Sequence, residues 1–218
     1  GKPTPARLLE GLGRVKPFMF LTVPLVIEKI FKSKVFPAIH KFPANMLLKM
    51  PGLDRFVLNK IKTTLLTAFG NGFSTGLILG GAALNREVED LLKRMDFPYV
   101  VGYGMTECGP LISYCDKSEF AKYSCGKKAD PLELRIDSAD PIKVLGEIQV
   151  KGDAVMLGYY KNEEATAAAF TEDGWLKTGD MGVLDAKGNV FIKGRCKNMI
   201  LTANGQNIYP EEIEDKIN

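Results

Sequence analysis

Between Leu77 and Val101 the spacing of apolar residues changes period twice, and that switch limits what the chain can fold into more than any other feature. Leu77, Ile78 and Leu79 form a short apolar run that stops at Gly80 and Gly81. Leu84, Val88, Leu91, Leu92 and Met95 then recur at the three- and four-residue spacing that lines one face of a helix. Asn85 stands where an N-cap is wanted, because its side-chain oxygen can accept from a first-turn amide that has no partner inside the helix. Pro98 disfavours helix at Phe97, after which Tyr99, Val100 and Val101 read as a second strand. Strand, helix and strand of this length predict a parallel βαβ unit, whose ligands gather at the carboxyl ends of the strands. Those ends are residues 80–84 and 102–109.

Upstream, residues 6–68 read as helices and loops. Val26, Ile27, Ile30 and Phe31 share one helical face, and Phe56, Leu58, Ile61, Leu65 and Leu66 supply another, with prolines at 17, 24, 37, 43 and 51 as punctuation. After about Ser124 the texture becomes short strands and turns. Residues 134–136, 147–151, 181–184 and 190–193 are candidate strands, and Lys187-Gly188 sits in hairpin position between the last two. One helix interrupts them, with Asn162 as cap and Glu163 and Glu164 in the first turn, where negative charge suits the helix dipole. Residues 199–202 read as a strand, Asn204-Gly205 as a turn, and Pro210 with Glu211 and Glu212 as a helix start. The expected fold is α/β: a partial parallel-sheet subdomain over 1–124, a β-rich subdomain over 125–194, and a hinge with the start of a third domain over 195–218.

With 218 residues, 45% of them apolar, the chain can bury a substantial core. Its longest charge-free stretch near the amino end, 17–27, is 11 residues and contains Pro24, whereas a membrane span takes about 20. The chain opens at Gly1, not Met, without the pattern of a secretory leader, and reads as a piece of an intracellular protein, cytoplasmic or peripheral to a membrane. The four cysteines form no Cys-x-x-Cys pair and His40 is the only histidine, which argues against a zinc site, a thioredoxin-like motif or a histidine base. Charge is uneven. Residues 1–80 hold 12 Lys+Arg and 3 Asp+Glu, hence +9; the remaining 17 and 23 give −6, and together +3. Solvated helix faces account for this, as would attraction to an anionic membrane surface or phosphorylated ligands. Aromatic interleaving of the kind single-stranded nucleic acid needs is missing, so no nucleic-acid partner is expected.

The densest chemistry is Gly102-Tyr103-Gly104-Met105-Thr106-Glu107, directly after a strand. Its glycines let backbone approach a ligand, Tyr103 offers a flat face for a purine, Thr106 a hydroxyl for a phosphate oxygen, and Glu107 a hard carboxylate suited to Mg2+. Alone, the run could equally be a polar turn with one buried tyrosine. Asp180 after Thr178-Gly179 could be a turn former, and Arg195 and Lys197 solvated charges at a strand end. Gly72 to Gly76 lacks the Lys-Ser/Thr ending of a phosphate loop and reads as a turn.

Five segments in order resemble the adenylate-forming superfamily of acyl-CoA synthetases, luciferases and peptide-synthetase adenylation domains. They are Gly80-Gly81-Ala82-Ala83-Leu84, Tyr103 to Glu107, Gly146-Glu147-Ile148 through Gly158-Tyr159-Tyr160, Gly174 to Asp180, and Gly194-Arg195-Cys196-Lys197 through Gly205 to Glu214. The last segment, with Thr22 to Ile30, looks most like bacterial long-chain fatty acyl-CoA ligases, although Leu25 stands where those often carry arginine.

The resemblance implies that Gly81, Ala82 and Ala83 line an adenine pocket, that Tyr103 packs on the purine with Gly104 and Met105 beside it, and that Thr106 contacts the α-phosphate. Glu107 would hold Mg2+, Asp180 both ribose hydroxyls and Arg195 the ribose from the other side. Lys197 matches the hinge position and Gly205 the loop along which the pantetheine arm of coenzyme A passes. The implied partners are a fatty acid, ATP and coenzyme A, joined through an acyl-adenylate. The phosphate loop and the adenylation lysine of the family lie outside these residues, so this piece by itself is expected to be inactive and, with open sheet edges, to self-associate. A relative that stops at acyl-AMP or loads a carrier protein, and a non-catalytic AMP- or CoA-binding module, are the alternatives.

Overall fold

The computed structural model describes residues 4–70, 76–201, 207, 208, 210 and 213, arranged in two compact units, Gly1–Val100 and Val101–Asn218. Among the described residues, no helix is long and apolar enough to cross a membrane.

In the first unit, α1 (Pro5–Val15) begins with its proline at the first turn and Thr4 as N-cap. A strand the sequence reading places in a helix-and-loop region follows, β1 (Met19–Thr22). It pairs in parallel with β2 (Gly76–Leu79), Met19 opposite Gly76 and Thr22 opposite Leu79. Four residues between Pro17 and Pro24 carry too little alternation to announce a strand; pairing with a segment more than fifty positions away decides it. The chain continues through α2 (Pro24–Ile30), a π-helical turn over Phe31–Val35, α3 (Phe36–Ile39), α4 (Ala44–Leu47) and α5 (Leu53–Ala68).

Ile27, Ile30, Phe31, Val35 and Ile39 are buried, so the first expected apolar face is core. The second needs a correction: Leu58 and Leu65 are buried but Phe56 is 69% exposed, and Val57 takes the inward place. At 100° per residue Phe56 rotates off the stripe that 57, 58, 61 and 65 share. Helix α6 (Arg86–Arg94) is capped by Asn85, whose Oδ1 accepts from the Val88 N–H at 3.2 Å. It leads to β3 (Tyr99–Val101), and the sheet order is β1-β2-β3. His40 closes α3 and stacks on Phe36 at 6.1 Å between ring centres.

The second unit opens with β4 (Tyr103–Gly104), a 3-10 turn over Thr106–Cys108, β5 (Leu111–Tyr114) and β6 (Lys127–Lys128), which form an antiparallel sheet. A second antiparallel sheet has the order β10-β9-β8-β7, from β7 (Glu133–Asp137), β8 (Gly146–Lys151), β9 (Leu176–Leu184) and β10 (Val190–Arg195). Its core is Ile136, Ile148, Val150, Leu176 and Val190, joined by Tyr103, Cys108 and Ile112. Helix α7 (Glu163–Ala169) is capped by Asn162, which accepts from the Ala165 N–H at 3.0 Å. Lys187-Gly188 does turn the β9–β10 hairpin, Gly188 at φ 81 and its N–H bonded to the Asp185 carbonyl. The strand expected over 181–184 starts earlier, at Leu176, and takes in Asp180. Beyond it β11 (Ile200–Leu201) pairs with β12 (Asn207–Ile208), and Pro210 and Ile213 are helical. The turn expected at Asn204-Gly205 and most of that at 72–76 lie outside the described residues.

Candidate functional site

Asp180 is placed by two irregularities in the sheet. Across β8 and β9, Glu147 faces Met181 and Gln149 faces Lys177, so a step of two residues on β8 matches a step of four on β9. The surplus is absorbed at Thr178-Gly179-Asp180, where Gly179 takes φ 73, a conformation that costs glycine little. The bulge satisfies its own polar groups: Thr178 Oγ1 donates to the Ile148 carbonyl at 2.8 Å and accepts from the Asp180 N–H at 3.1 Å, and Gly179 N–H donates to Glu147 Oε1 at 2.9 Å. Asp180 is therefore a bulged strand residue, not a turn former. On the other side, β10 slips by one residue between Ile192 and Gly194, which sets Arg195 directly opposite Asp180.

The carboxylate so positioned is nearly buried and held at both oxygens. The Tyr103 hydroxyl donates to Oδ2 at 2.7 Å, and Arg195 Nε forms an ion pair with Oδ1 at 2.9 Å. The phenol's bond is charge-assisted and lies on the buried side. Burial, and then the Asp180 charge, hold the Tyr103 hydroxyl far above the ordinary tyrosine range, so it is a donor at any working pH. Arg195 is different: its side chain is 60% exposed, at the solvent edge of the pair. An ionised carboxylate has about four acceptor positions, more than the phenol and the arginine can use.

Glu107 lies in the 3-10 turn that β4 and β5 enclose. Gly104 is required there by the hairpin itself, because a Cβ would overlap the Pro110 carbonyl oxygen. The sequence reading assigns that glycine to ligand approach; close approach of its own chain already demands it. Met105 packs against the core, and the buried Cys108 thiol is pushed up to about 11 by burial and then by the Glu107 charge. Thr106 is exposed, and its carbonyl accepts from the Gly109 N–H at 3.3 Å. The Glu107 carboxylate accepts from the Tyr159 hydroxyl at 3.0 Å. Among the described residues, no group of three or more His, Cys, Asp or Glu could hold a metal. A cation at Glu107 would take its other ligands from phosphate and water, which is the habit of Mg2+; a hard carboxylate oxygen fits it.

The structure thus brings Tyr103 and Arg195 onto the two carboxylate oxygens of Asp180, with Glu107 four residues after Tyr103. Lys197 lies in the 3-10 turn Cys196–Asn198 just past β10 and is exposed. Gly81, Ala82 and Ala83 belong to the first unit, exposed in the turn between β2 and α6, with Gly81 at φ 85. Gly205 lies outside the described residues. Thr178, Glu147 and Tyr159 have no part in the sequence reading although each falls within a quoted segment. Nothing in their spacing marks them, because the bulge and the loop give them their partners.

The profile described as AMP-binding enzyme matches residues 1–160. The peroxisomal long chain acyl-CoA synthetase 6 of Arabidopsis thaliana is 33% identical over 235 residues, which cover 96% of this chain and 33% of that protein. A 2-succinylbenzoate–CoA ligase of Listeria innocua is 42% identical over 143 residues, 65% of this chain and 29% of the relative. Among solved structures, O-succinylbenzoate coenzyme A synthetase from Bacillus subtilis in complex with AMP superposes with a TM-score of 0.71 at 25% identity, over 97% of this chain and 38% of the other. The chain spans about a third of the length of the curated relatives it matches.

Proposed function

The chain belongs to the AMP-binding enzyme family, and on that premise we propose that it is the nucleoside-binding part of a longer ATP-dependent acid–thiol ligase that forms an acyl-adenylate and then an acyl-CoA. The observation that carries this is the convergence of Tyr103, Asp180 and Arg195 on one bulge. Asp180 would accept the two ribose hydroxyls in the capacity its protein donors leave, and Arg195, at the rim, would close on the same sugar. Tyr103 holds the carboxylate from behind. Glu107 would hold Mg2+, which when bound supplies the positive charge that stabilises phosphoryl oxygens, and Thr106 would contact the α-phosphate.

In the first half-reaction a carboxylate attacks the α-phosphorus and pyrophosphate leaves; in the second the CoA thiolate attacks the mixed anhydride and AMP leaves. Lys197, in the turn just past β10, would be the hinge on which a following domain turns between the two. For the acid we propose a long-chain fatty acid, supported by long-chain ligases among the relatives; ligases for 2-succinylbenzoate and 4-coumarate match as well.

The test uses the full-length protein. Calorimetry should find AMP bound more tightly than 2′,3′-dideoxy-AMP, and Asp180→Ala should abolish that preference; equal affinities in the unaltered protein would refute the ribose role. Thioester formation across fatty acids of several lengths, 2-succinylbenzoate and 4-coumarate then identifies the acid. Release of acyl-AMP with no thioester would refute the CoA step.

A further inference from the structure

Glu107 is tied twice to the segment that follows β8, once through main chain and once through the Tyr159 side chain. The Met156 N–H donates to the Glu107 backbone carbonyl at 2.7 Å, and the Tyr159 hydroxyl donates to Glu107 Oε1 at 3.0 Å. The tyrosine is gripped from its other end. Its N–H donates to Thr166 Oγ1 at 2.9 Å, and that hydroxyl donates to the carbonyl of Asn162, the cap of α7. Gly158 makes this approach feasible: it sits at φ 154, and a Cβ there would stand 2.7 Å from Thr166 Cγ2. Cap, helix, loop and carboxylate therefore form one continuous support.

A surface tyrosine with an incidental hydrogen bond would be the plain account of a residue 41% exposed. Two features argue beyond it. The backbone tie from Met156 fixes the loop against Glu107 independently of the phenol, so the ring is delivered to the carboxylate by main-chain geometry. The phenol's bond is made to Oε1, which restrains rotation of the carboxylate. Groups that hold a metal-binding side chain from outside commonly change metal affinity by about 10- to 100-fold when removed.

We infer that Tyr159 is the positioning residue for Glu107, its hydroxyl holding the carboxylate in the orientation that receives a divalent cation together with a nucleotide phosphate. This rests on the reading of Glu107 as the cation ligand. With the phenol partly open to water, the effect belongs at the low end of the range, about tenfold.

The experiment measures, by calorimetry on the full-length protein, ATP affinity over a Mg2+ series and AMP affinity in metal-free buffer. Tyr159→Phe keeps the ring and should raise the Mg2+ concentration that half-saturates tight ATP binding about tenfold while leaving metal-free AMP binding unchanged. In a Glu107→Gln background the same change should have no further effect, since its route is gone. An unchanged Mg2+ requirement overturns the inference. Equal weakening of ATP and AMP also overturns it, because it marks a general support of the loop. ATP binding that ignores Mg2+ in the unaltered protein sinks the cation reading of Glu107, and the inference falls with it.

Discussion

Replacing Tyr103 by Phe separates the two bonds that hold Asp180. The ring stays in the core, so no cavity opens, and only the hydroxyl is lost. On the buried side its bond to Oδ2, 2.7 Å long, is made to an ionised group with little access to water. Such bonds contribute about 1.5–3 kcal/mol, so a loss of about 2 kcal/mol is expected. The Arg195 ion pair is close at 2.9 Å, but with the arginine 60% exposed water can replace it, and its loss should cost at most about 1 kcal/mol. Tyr103→Phe should therefore exceed Arg195→Ala in its effect on β9.

Native-state hydrogen exchange in the full-length protein reads this locally, as an increase of about 30-fold in exchange of the 176–195 amides for Tyr103→Phe against about fivefold or less for Arg195→Ala. The pH dependence has a definite sign. The folded state raises the Tyr103 pKa, so its contribution is complete below about pH 10, where an unfolded tyrosine still keeps its proton, and is lost as pH rises beyond that. The phenylalanine variant should lack that share of the alkaline fall. A reversed ranking, or less than threefold change for Tyr103→Phe, would refute the assignment of Asp180 to the buried phenol.

Gly104→Ala should raise exchange across 103–114 by up to about a hundredfold, since overpacking against a backbone carbonyl costs up to about 3 kcal/mol; near-normal exchange would refute the close approach to Pro110. Asn162→Ala removes the α7 cap at a cost of about 1 kcal/mol, seen as about fivefold faster exchange over 163–169. Cys108, buried and with its thiol pushed up to about 11, should carry about one part in a thousand as thiolate at pH 8, so the half-buried Cys125 and Cys196 should react before it with a thiol reagent, read by peptide mass spectrometry. Labelling of Cys108 at the rate of the denatured protein would overturn that burial.

How much was legible in the sequence depended on how local each cause was. The helix 86–94, its Asn85 cap, the flanking strands, the α7 cap and the Lys187-Gly188 hairpin all follow from neighbours a few positions apart, and the structure has each of them. The ordered motifs likewise carried the family, because their residue types and order survive without knowledge of partners. Non-local causes were out of reach. Strand β1 exists through β2, Phe56 and Val57 exchange roles by a rotation of one position, and the demand for glycine at 104 comes from Pro110. Asp180 is the clearest case. Its identity as an important carboxylate could be read from the chain, but its orientation depends on two register slips against different neighbours and on a phenol 77 positions away. A bulge is a property of a pair of strands, so it is decided only when the sheet closes.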